Sequence, residues 1–403
     1  MTVSSPASER PVPVATLFAA VDALRPMVED IALSLHQHPE IGLQEHYATD
    51  RLAGVLAAQG WPVERGIAGL TTAFRARVGD ARPAIAFLAE YDALPGIGHG
   101  CGHNLIAGAS MAAALACSVV LPPRTAEVSW LVVGTPAEES YGGKVAMADA
   151  GVFDSIDAAL LAHPGRLNSV GGSSWASHPV ELTFRGKAAH AGGAPQDGIN
   201  ALDACVQAYM MIRNLRNQLR DDVRLAGVIT HGGEVQNVIP EFAQMRFTAR
   251  CKEWCFIEQT LIPRVVACAE AAATANLATL EWRHHEMLFK ECLTHPVLQE
   301  LASGYFAAVG EALTPPPAGA GGGTTDVGAV TWACPALQIG YRIGDARGHS
   351  REMAEATLTP YAIDQTLKAA KVMAATAAEL ALRPALLAAA HERLAAYRAG
   401  SAV

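Results

Sequence analysis

Three short apolar segments alternate with helix-like sequence over the first 177 residues of this chain. They read AIAFLAE (84–90), VSWLVVGT (128–135) and AALLA (158–162), and helical stretches lie between them near 104–118 and 143–152. Strands and helices that alternate in this way form a mostly parallel sheet whose faces are covered by the helices. The sequence therefore predicts an α/β fold for this part of the chain.

A second pattern begins at Pro179. Segments with alternating polar and apolar residues (VELTFRG, RLAGVITHG, AQMRFTARC and ATLEWRHH) are interleaved with two long helical runs, near 200–219 and 256–275. The order β-α-β-β-α-β is typical of a ferredoxin-like α+β unit of about a hundred residues. We therefore expect an inserted domain at residues 178–287.

After the insert, the pattern of the first domain returns. A Gly-rich stretch at 315–330 precedes one more apolar strand, PALQIGY (335–341), and Ala/Leu-rich packing helices follow over 365–398. The glycine run 319–323 is no phosphate loop, because no Gly-Lys-Ser/Thr follows it. Residues 1–177 and 288–403 are thus expected to form one split domain.

The composition excludes several classes of protein. With 403 residues, 51% of them hydrophobic and 17% charged, the chain can build one large core and a second domain. Its 39 acidic and 30 basic residues give a net charge of −9, so we expect no nucleic-acid partner and no binding to an anionic membrane. The apolar runs are Ala-rich, helix-like stretches broken by charges, and we expect none of them to reach the roughly 18–20 uninterrupted residues that span a bilayer.

The location and the state of the cysteines are also expectations at this point. The N-terminal sequence MTVSSPASERPVPV lacks the features of a secretory signal, so we expect a cytoplasmic protein. Eight dispersed cysteines are too few for a disulfide framework and should be reduced. Cys251 and Cys255 are close in sequence, but no second pair completes a zinc cage, so we expect core or half-buried thiols.

Polar residues with metal-binding chemistry follow the predicted strands where each strand ends. In open parallel sheets these ends converge on one crevice, where ligands collect. Five segments place such residues there: Glu90-Tyr91-Asp92, Gly100-Cys101-Gly102-His103, Pro136-Ala137-Glu138-Glu139, His163 and His349. A thiolate, imidazoles and carboxylates together suit zinc, manganese or a similar divalent ion, and a set this large could hold two.

Each of these motifs also has an ordinary structural interpretation. A cysteine at the start of a helix is often simply buried, a Glu-Glu doublet is usually a solvated surface pair, and a lone histidine at a strand end is usually structural. The metal site is favoured because all five segments coincide at one edge of one sheet. Within the doublet, Glu139 is expected to bind metal, while Glu138 takes the proton of a metal-activated water and passes it to the leaving amine.

The chain resembles a known family through AEYDALPGIGHGCGHNLI, GTPAEE, HP at 163, RGKAAHAGGAPQDGINALDA, GGEVQNVIP, GGGTTDVG and GHSREMAEAT. These motifs are similar to those of the two-metal amidohydrolases and metallopeptidases, which include aminoacylases, auxin-conjugate hydrolases, aminobenzoyl-glutamate hydrolase and a β-alanyl-dipeptide hydrolase subgroup. The resemblance runs from about His36 to Thr357. The segment EYDALPGIGH with CGHN resembles the aminobenzoyl-glutamate and β-alanyl-dipeptide branch more than the auxin-conjugate branch.

The resemblance implies a role for each matching residue. It implies two divalent metal ions per chain, zinc or manganese, with Glu138 as general base and Asp92 orienting the cluster beside the metals. It also implies that the inserted domain is a lid through which a homodimer forms. The metal ligands implied are Cys101, His103, Glu139, His163 and His349.

Further residues are implied near the substrate. His190 resembles a lid histidine that polarises the substrate carbonyl; the alternative is that it is a plain exposed histidine. Asn237 resembles a lid residue near the substrate; the alternative is that it only forms a turn. Arg250 is a candidate for binding a substrate carboxylate. His36 and His38 match a family segment but are expected to be structural or to support the ligands.

Two departures from the family pattern affect the expected pocket. Thr324-Thr325-Asp326 stands where relatives usually have Ser-Thr-Asp, and Met353 replaces a common aromatic residue. Neither change touches a ligand, so we expect catalysis to survive and the substrate to remain open.

The hypothesis that follows is a metal-dependent hydrolase that cleaves the amide bond of an N-acyl amino acid or dipeptide-like substrate with a free carboxylate. One alternative is a metal-independent serine hydrolase, suggested by GGSSW (171–175) and HGGE (231–234), but the sequence has no G-x-S-x-G elbow. Another is a non-catalytic binding protein that retains the fold. Against it, all five candidate ligands are present.

Overall fold

The structure, a computed structural model, describes residues 11–171, 174–315 and 323–400. These residues form two compact units. The main unit comprises the described residues of Met1–Gly172, Cys292–Ala320 and Ala329–Val403. The inserted unit comprises those of Ser173–Glu291 and Gly321–Gly328. Most of the glycine run 319–323 lies outside the described residues.

The strands, in chain order, are β1 (Val63–Arg65), β2 (Phe74–Val78), β3 (Ala84–Ala89), β4 (Ser129–Gly134), β5 (Ala158–Gly165), β6 (Ser169–Val170), β7 (Ala176–Arg185), β8 (Arg224–His231), β9 (Phe242–Cys251), β10 (Thr279–Arg283) and β11 (Ala336–Arg342).

The helices, in chain order, are α1 (Val14–Ala23), α2 (Arg25–Gln37), α3 (His46–Ala58), α4 (His103–Val120), α5 (Pro123–Ala126), α6 (Gly143–Asp149), α7 (Ala201–Leu215), α8 (Trp254–Phe256), α9 (Ile262–Ala275), α10 (Pro296–Ala308), α11 (Val327–Ala333), α12 (Arg351–Ala356), α13 (Pro360–Leu382) and α14 (Pro384–Arg398). The break before Pro384 divides the tail, which the sequence indicated only as helical.

The main unit contains a seven-stranded sheet in the order β1-β2-β4-β3-β5-β11-β6. Its centre is parallel, because β3 pairs in parallel with β4 and β5, and β5 pairs in parallel with β11. Every residue of β3 and β4 is buried, which explains why both strands are continuous apolar runs in the sequence. The outer strands β1, β2 and β6 pair antiparallel.

Helix α4 lies at the centre of the main unit and packs against α2, α13 and β3. By length and apolar composition alone it could cross a membrane, and α13 with α14 would pass the same test as one bent span. However, 83% of α4 is buried inside the protein. A helix that is apolar on all sides and buried to this extent belongs to the core of a domain.

The inserted unit has the topology expected from the sequence. Strands β7, β8, β9 and β10 form an antiparallel sheet in the order β10-β7-β9-β8, which is the strand order of a ferredoxin-like unit. Helices α7 and α9 pack against each other, and apolar residues of both join those of the sheet in a separate core. The predicted α/β fold with a ferredoxin-like insert is confirmed.

All eight cysteines are free thiols. Cys251 is buried at the end of β9, as expected, whereas Cys255 is exposed. The expectation that both would be core or half-buried thiols is therefore wrong for Cys255, because it lies on the outer side of the short helix α8.

Candidate metal centre

The loops at the carboxyl ends of the central strands meet at one place in the main unit. Asp92 follows β3, Glu138 and Glu139 follow β4, and His163 lies in the second half of β5. Cys101 stands two residues before His103, the first residue of α4. The structure thus brings together residues from separate strand ends that are far apart in the sequence.

His349 reaches the same place from beyond β11. Its backbone N–H donates to the carbonyl of Gly100 at 2.8 Å, which ties the loop before α12 to the loop that carries Cys101. The residue has a positive φ of 63°, a conformation that is uncommon outside glycine. The bond to Gly100 is one of the contacts that hold His349 in this conformation.

The potential ligand atoms form three groups in which all atoms lie within 4.8 Å of one another. Two of these groups share the Cys101 thiol: Cys101, His103 and His163 form one, and Cys101, Glu139 and His349 form the other. The Cys101 Sγ to His163 Nε2 distance is 3.5 Å, and the His349 Nε2 to Glu139 Oε1 distance is 3.2 Å. Two overlapping groups are the arrangement that a pair of ions with a common ligand would need.

His103 and His163 both turn Nε2 toward this cluster, because Nδ1 of each ring is hydrogen-bonded to an oxygen on its other side. Nδ1 of His103 lies 2.9 Å from Oδ1 of Asp92, and Nδ1 of His163 lies 2.8 Å from the carbonyl oxygen of Pro164. Because these oxygens accept hydrogen bonds, each Nδ1 donates a proton, which leaves Nε2 as the nitrogen through which each ring could bind a metal ion. A histidine that binds metal through Nε2 is held in this way.

Two buried atoms of the cluster lack hydrogen-bonding partners among the described residues: Nε2 of His103 and Oε1 of Glu139. These two atoms lie 3.9 Å apart. Burying such atoms without a partner costs free energy, which a cation between them would offset. The residues present therefore fit a divalent metal centre.

The Cys101 thiol supports the same interpretation. Burial, opposed by the nearby His103, raises the pKa of Cys101 to about 12. The thiol alone therefore stays protonated at neutral pH. Since a thiolate is the form that binds metal, loading of the site should release this proton.

Asp92 connects two strand-end loops. Its Oδ1 accepts from His103, and its Oδ2 accepts from the backbone N–H of Glu139 at 3.0 Å. Burial raises the pKa of Asp92, but the charge and hydrogen bond of His103 outweigh this effect, and the pKa lies below its usual range. The carboxylate is thus charged while it orients a candidate ligand from each loop.

Glu138 lies beside the ligands and remains partly accessible. One of its carboxylate oxygens belongs to the third group, with His103 and Glu139, and the side chain is half-buried. A carboxylate at the edge of the cluster can exchange a proton with a molecule bound there. This position suits the base expected from the sequence.

Sequence reasoning missed a buried ion pair behind the cluster. Lys144 Nζ lies 2.6 Å from Oε1 of Glu90, and both side chains are inaccessible to solvent. The other oxygen of Glu90 lies 3.5 Å from Nε2 of His103. The only signal was a lysine at the start of α6 after two glycines, which resembles an ordinary solvated lysine.

The predicted lid residues lie in the inserted unit. The backbone of His190 pairs with that of Val238, and the carbonyl of Asn237 accepts from the N–H of Ala191 at 2.9 Å. The structure thus brings the His190 and Asn237 loops together. Arg250 lies in the central strand β9, opposite Arg224 of β8, and its side chain is half-buried.

The ring orientation of His190 follows from its own loop. Its Nδ1 accepts the backbone N–H groups of Gly192 and Gly193, at 3.2 and 2.9 Å. The proton of the neutral ring must therefore sit on Nε2. Since the side chain is exposed, this N–H is accessible to solvent.

His36 and His38 belong to none of the three ligand groups, which cover only the described residues. His38 stacks on Tyr47 with 4.1 Å between ring centroids. Of the departures from the family pattern, Met353 is buried, and its Cε would lie 3.6 Å from a Cβ added to Gly102. Thr325 accepts the backbone N–H of Val327 at 3.3 Å, and Asp326 is buried.

Comparison with known proteins gives a family match over most of the chain. The model of Peptidase family M20/M25/M40 matches residues 86–379. The Xaa-Arg dipeptidase of Mus musculus is 35% identical over 368 residues, which cover 87% of this chain and 84% of that protein. A p-aminobenzoyl-glutamate hydrolase polypeptide of Escherichia coli (strain K12) is 32% identical over 318 residues, covering 73% of this chain and 64% of that protein.

Solved structures share the fold. An aminobenzoyl-glutamate utilization protein from Klebsiella pneumoniae superposes with a TM-score of 0.66 at 21% identity, covering 91% of this chain and 98% of that one. A dinuclear metal-binding peptidase of the M20 family from Bacillus subtilis superposes with a TM-score of 0.60 at 21% identity, covering 87% and 98%. Both likenesses extend over the split domain and its insert.

Proposed function

We propose that Glu138 is the general base of this chain, which belongs to peptidase family M20/M25/M40 and is a metal-dependent hydrolase of amide bonds. The observation that carries the proposal is the position of this carboxylate within 4.8 Å of the potential ligand atoms of His103 and Glu139. A base must lie within hydrogen-bonding reach of the proton it removes. Glu138 is the half-buried carboxylate beside the cluster that fits this requirement.

The proposed metal ligands are Cys101, His103, Glu139, His163 and His349, and the proposed metals are two ions of zinc or manganese. Thiolate and imidazole ligands favour zinc, and the carboxylate also accommodates manganese. When bound, the metals supply Lewis acidity, which lowers the pKa of water and polarises a carbonyl.

The protein side chains then divide the proton transfers. Glu138 takes the proton of the attacking water and delivers it to the leaving amine, so that one carboxyl serves first as base and then as acid. Asp92 keeps His103 and the Glu139 backbone in place during both transfers. His190 donates from Nε2 to the oxygen of the substrate carbonyl as negative charge develops there.

The substrate class is an N-acyl amino acid or a dipeptide, and we propose that its free carboxylate is bound by Arg250, with Asn237 near the substrate. The name of the murine relative points to a dipeptide with arginine on the carboxyl side, and that of the bacterial relative points to aminobenzoyl-glutamate. Both contain an amide bond beside an amino acid with a free carboxylate. The two substrates differ on both sides of this bond, in the acyl group and in the amino acid, which is arginine in one and glutamate in the other.

We further propose a homodimer that forms through the inserted unit, in the cytoplasm. Strand β8 lies at the end of the four-stranded sheet, so one of its edges is available to a second copy. Val228 in this strand is 58% exposed, although it is apolar. The free thiols are consistent with a reducing compartment.

Two substitutions in the doublet test the assignment of the base. Glu138→Gln should bind metal as the wild type does and lose at least about a hundredfold in kcat, because the amide cannot accept the proton. Glu139→Gln should instead lose metal. Metal content is measured by elemental analysis, and Glu300→Gln, on an exposed helical face, is the control. A fully active Glu138→Gln enzyme would overturn the proposal.

A hydrolysis screen identifies the substrate. N-acyl amino acids, β-alanyl dipeptides, Xaa-Arg dipeptides and aminobenzoyl-glutamate are compared with and without added zinc or manganese. Activity should disappear with a chelator and return with one of the two metals. Chelator-resistant activity, with covalent labelling of a serine, would instead support a serine hydrolase.

A further inference from the structure

The turn that carries the Glu138-Glu139 doublet is held in an unusual conformation. Ala137 has a positive φ of 59° and is fully buried. Residues other than glycine rarely adopt this conformation, and they keep it only where the surroundings impose it. The carbonyl of Ala137 accepts from the N–H groups of Tyr141 and Gly142, at 3.1 and 2.8 Å. These bonds close the turn but leave the Ala137 N–H to another partner.

That partner is a carboxylate from the N-terminal part of the chain. Oε1 of Glu45 accepts the backbone N–H of Ala137 at 2.7 Å, across 92 residues of sequence. Glu45 immediately precedes α3, and its side chain is fully buried. The same segment packs tightly on the turn, because a Cβ added to Gly42 would lie 2.8 Å from Cβ of Ala137.

Glu45 is itself fixed by Thr72. Its Oε2 accepts from the Thr72 hydroxyl at 2.9 Å. The carbonyl of Thr72 in turn accepts from the hydroxyls of Thr49 and Tyr91, both at 2.6 Å. Tyr91 lies directly before Asp92. Glu45 therefore belongs to a buried network that links α3, the segment before β2 and the loop after β3.

The doublet is thus held by a carboxylate on each side. Asp92 accepts the N–H of Glu139, and Glu45 accepts the N–H of Ala137, with Glu138 between them. We propose that Glu45 is a positioning residue, which sets the turn so that Glu138 faces the reaction and Glu139 faces the metals. This inference rests on the proposed roles of the doublet.

The chemistry of Glu45 supports a specific purpose for its burial. Burial, partly offset by hydrogen bonds including that from Thr72, raises the pKa of Glu45 to about 7. Keeping the carboxylate charged in such a place is unfavourable, and an apolar residue would avoid the cost. An apolar residue could not accept the Ala137 N–H.

The test compares three variants of the full-length protein. Glu45→Ala removes the hydrogen bonds that Glu45 accepts from the Ala137 N–H and from the Thr72 hydroxyl. Glu45→Gln keeps an oxygen for Ala137, and its amide can donate to the Thr72 hydroxyl. Glu40→Ala is the matched control, because Glu40 lies in the same segment and binds the N–H groups of Tyr47 and Ala48 in α3, both at 3.0 Å, without touching the turn.

The zinc dissociation constant, kcat and KM are measured for each variant. We expect Glu45→Ala to weaken zinc binding by about 10- to 100-fold, the usual effect of losing a group that orients a ligand. Its kcat should fall by at least about tenfold while KM changes little, because the base is displaced. Glu45→Gln should restore both quantities to within about threefold, and Glu40→Ala should leave both near wild type while lowering the thermal unfolding midpoint.

Two results would overturn the inference: a Glu45→Ala protein with wild-type zinc affinity and kcat, or equal losses of both in Glu40→Ala.

Should Glu45→Ala fail to fold, the zinc affinities of Thr72→Val and Thr72→Ser are compared instead, since only valine removes the hydroxyl that holds Glu45. Zinc affinity lower in Thr72→Val than in Thr72→Ser supports the role, and equal affinities oppose it. A wild type that binds zinc but hydrolyses none of the amides would contradict the proposed function, whereas the order of zinc affinities would still test Glu45.

Discussion

Asp92 and His103 are joined by a hydrogen bond of 2.9 Å between Oδ1 of the carboxylate and Nδ1 of the ring. The second oxygen of Asp92 accepts the backbone N–H of Glu139. One buried carboxylate therefore determines which nitrogen His103 turns to the metal centre and where the Glu139 loop lies. Both of its oxygens act as acceptors.

Asp92→Asn should weaken zinc binding by about 10- to 100-fold, because an amide offers only one acceptor oxygen and places its NH2 group against a donor. The measurement is a competition titration with a coloured chelator. Asp157→Asn is the matched control, since Asp157 is also buried and accepts from Arg82 and the Ala84 N–H at the other end of β3. Equal zinc affinities in the two variants would contradict this role of Asp92.

Gly102→Ala should destroy the metal centre without changing any ligand. Gly102 has a positive φ of 83°, and an added Cβ would lie 2.5 Å from Cγ of Pro164, next to His163. Since a proline ring cannot move aside as a flexible chain end can, the loops of Cys101 and His163 must separate. We expect loss of both metal content and activity.

The control for this variant is Gly54→Ala. Gly54 lies inside α3, has an ordinary helical conformation, and a Cβ there meets nothing within 4 Å. Alanine at such a site should stabilise the protein by about 0.5–1 kcal/mol. Thermal unfolding and elemental analysis separate the two outcomes, and a metal-loaded Gly102→Ala enzyme would show that the close approach to Pro164 is not required.

The parts of the fold that sequence reasoning found are those with a strong local pattern. Strands β3 and β4 are buried on both faces and are therefore continuous apolar runs, and the β-α-β-β-α-β order of the insert follows from its alternating strands. Strands β1, β2 and β6 were not predicted. Their sequences VER, FRARV and SV are short or rich in arginine, because they pair at or near the edges of the sheet, where one face or edge meets water.

The clustering of the candidate metal ligands could be anticipated because these residues follow strands whose ends converge. Glu45 could not be found in this way, since it precedes a helix and reaches the site across 92 residues through one hydrogen bond. Lys144 was missed for a different reason. Nothing in the local sequence of α6 indicates that a lysine there is buried against Glu90.

The stability of the inserted unit should depend on pH through His178. This residue is 4% exposed, and its ring stacks on Trp254 with 5.6 Å between centroids. Burial, together with the nearby His284, lowers the pKa of His178 to about 4. Between the usual pKa of about 6.5 and pH 4, His178 binds a proton in the unfolded chain but not in the folded protein. The free energy of unfolding therefore falls as the pH falls through this range.

His178→Phe removes this titration and keeps an aromatic ring. Between pH 7.5 and pH 5, the unfolding free energy of the wild type should therefore fall by about 2 kcal/mol more than that of the variant. The difference grows by about 1.4 kcal/mol for each pH unit below 6.5. Urea unfolding in the presence of a chelator measures the difference without the contribution of metal binding. Parallel pH profiles for the two proteins would exclude His178 as the source.

The exposed edge of β8 makes the proposed dimer testable. Among the residues that the structure describes, β8 pairs only with β9. In a two-fold dimer that continues the sheet, the two β8 strands run antiparallel, so a charge introduced at Val228 comes close to its own copy. Val228→Lys should therefore convert the dimer to monomers, as measured by sedimentation at micromolar concentration. Leu277→Lys is the control, because Leu277 is 78% exposed in the same unit but lies between α9 and β10. Its dimer should persist, and a Val228→Lys protein that remains dimeric would exclude pairing through this edge.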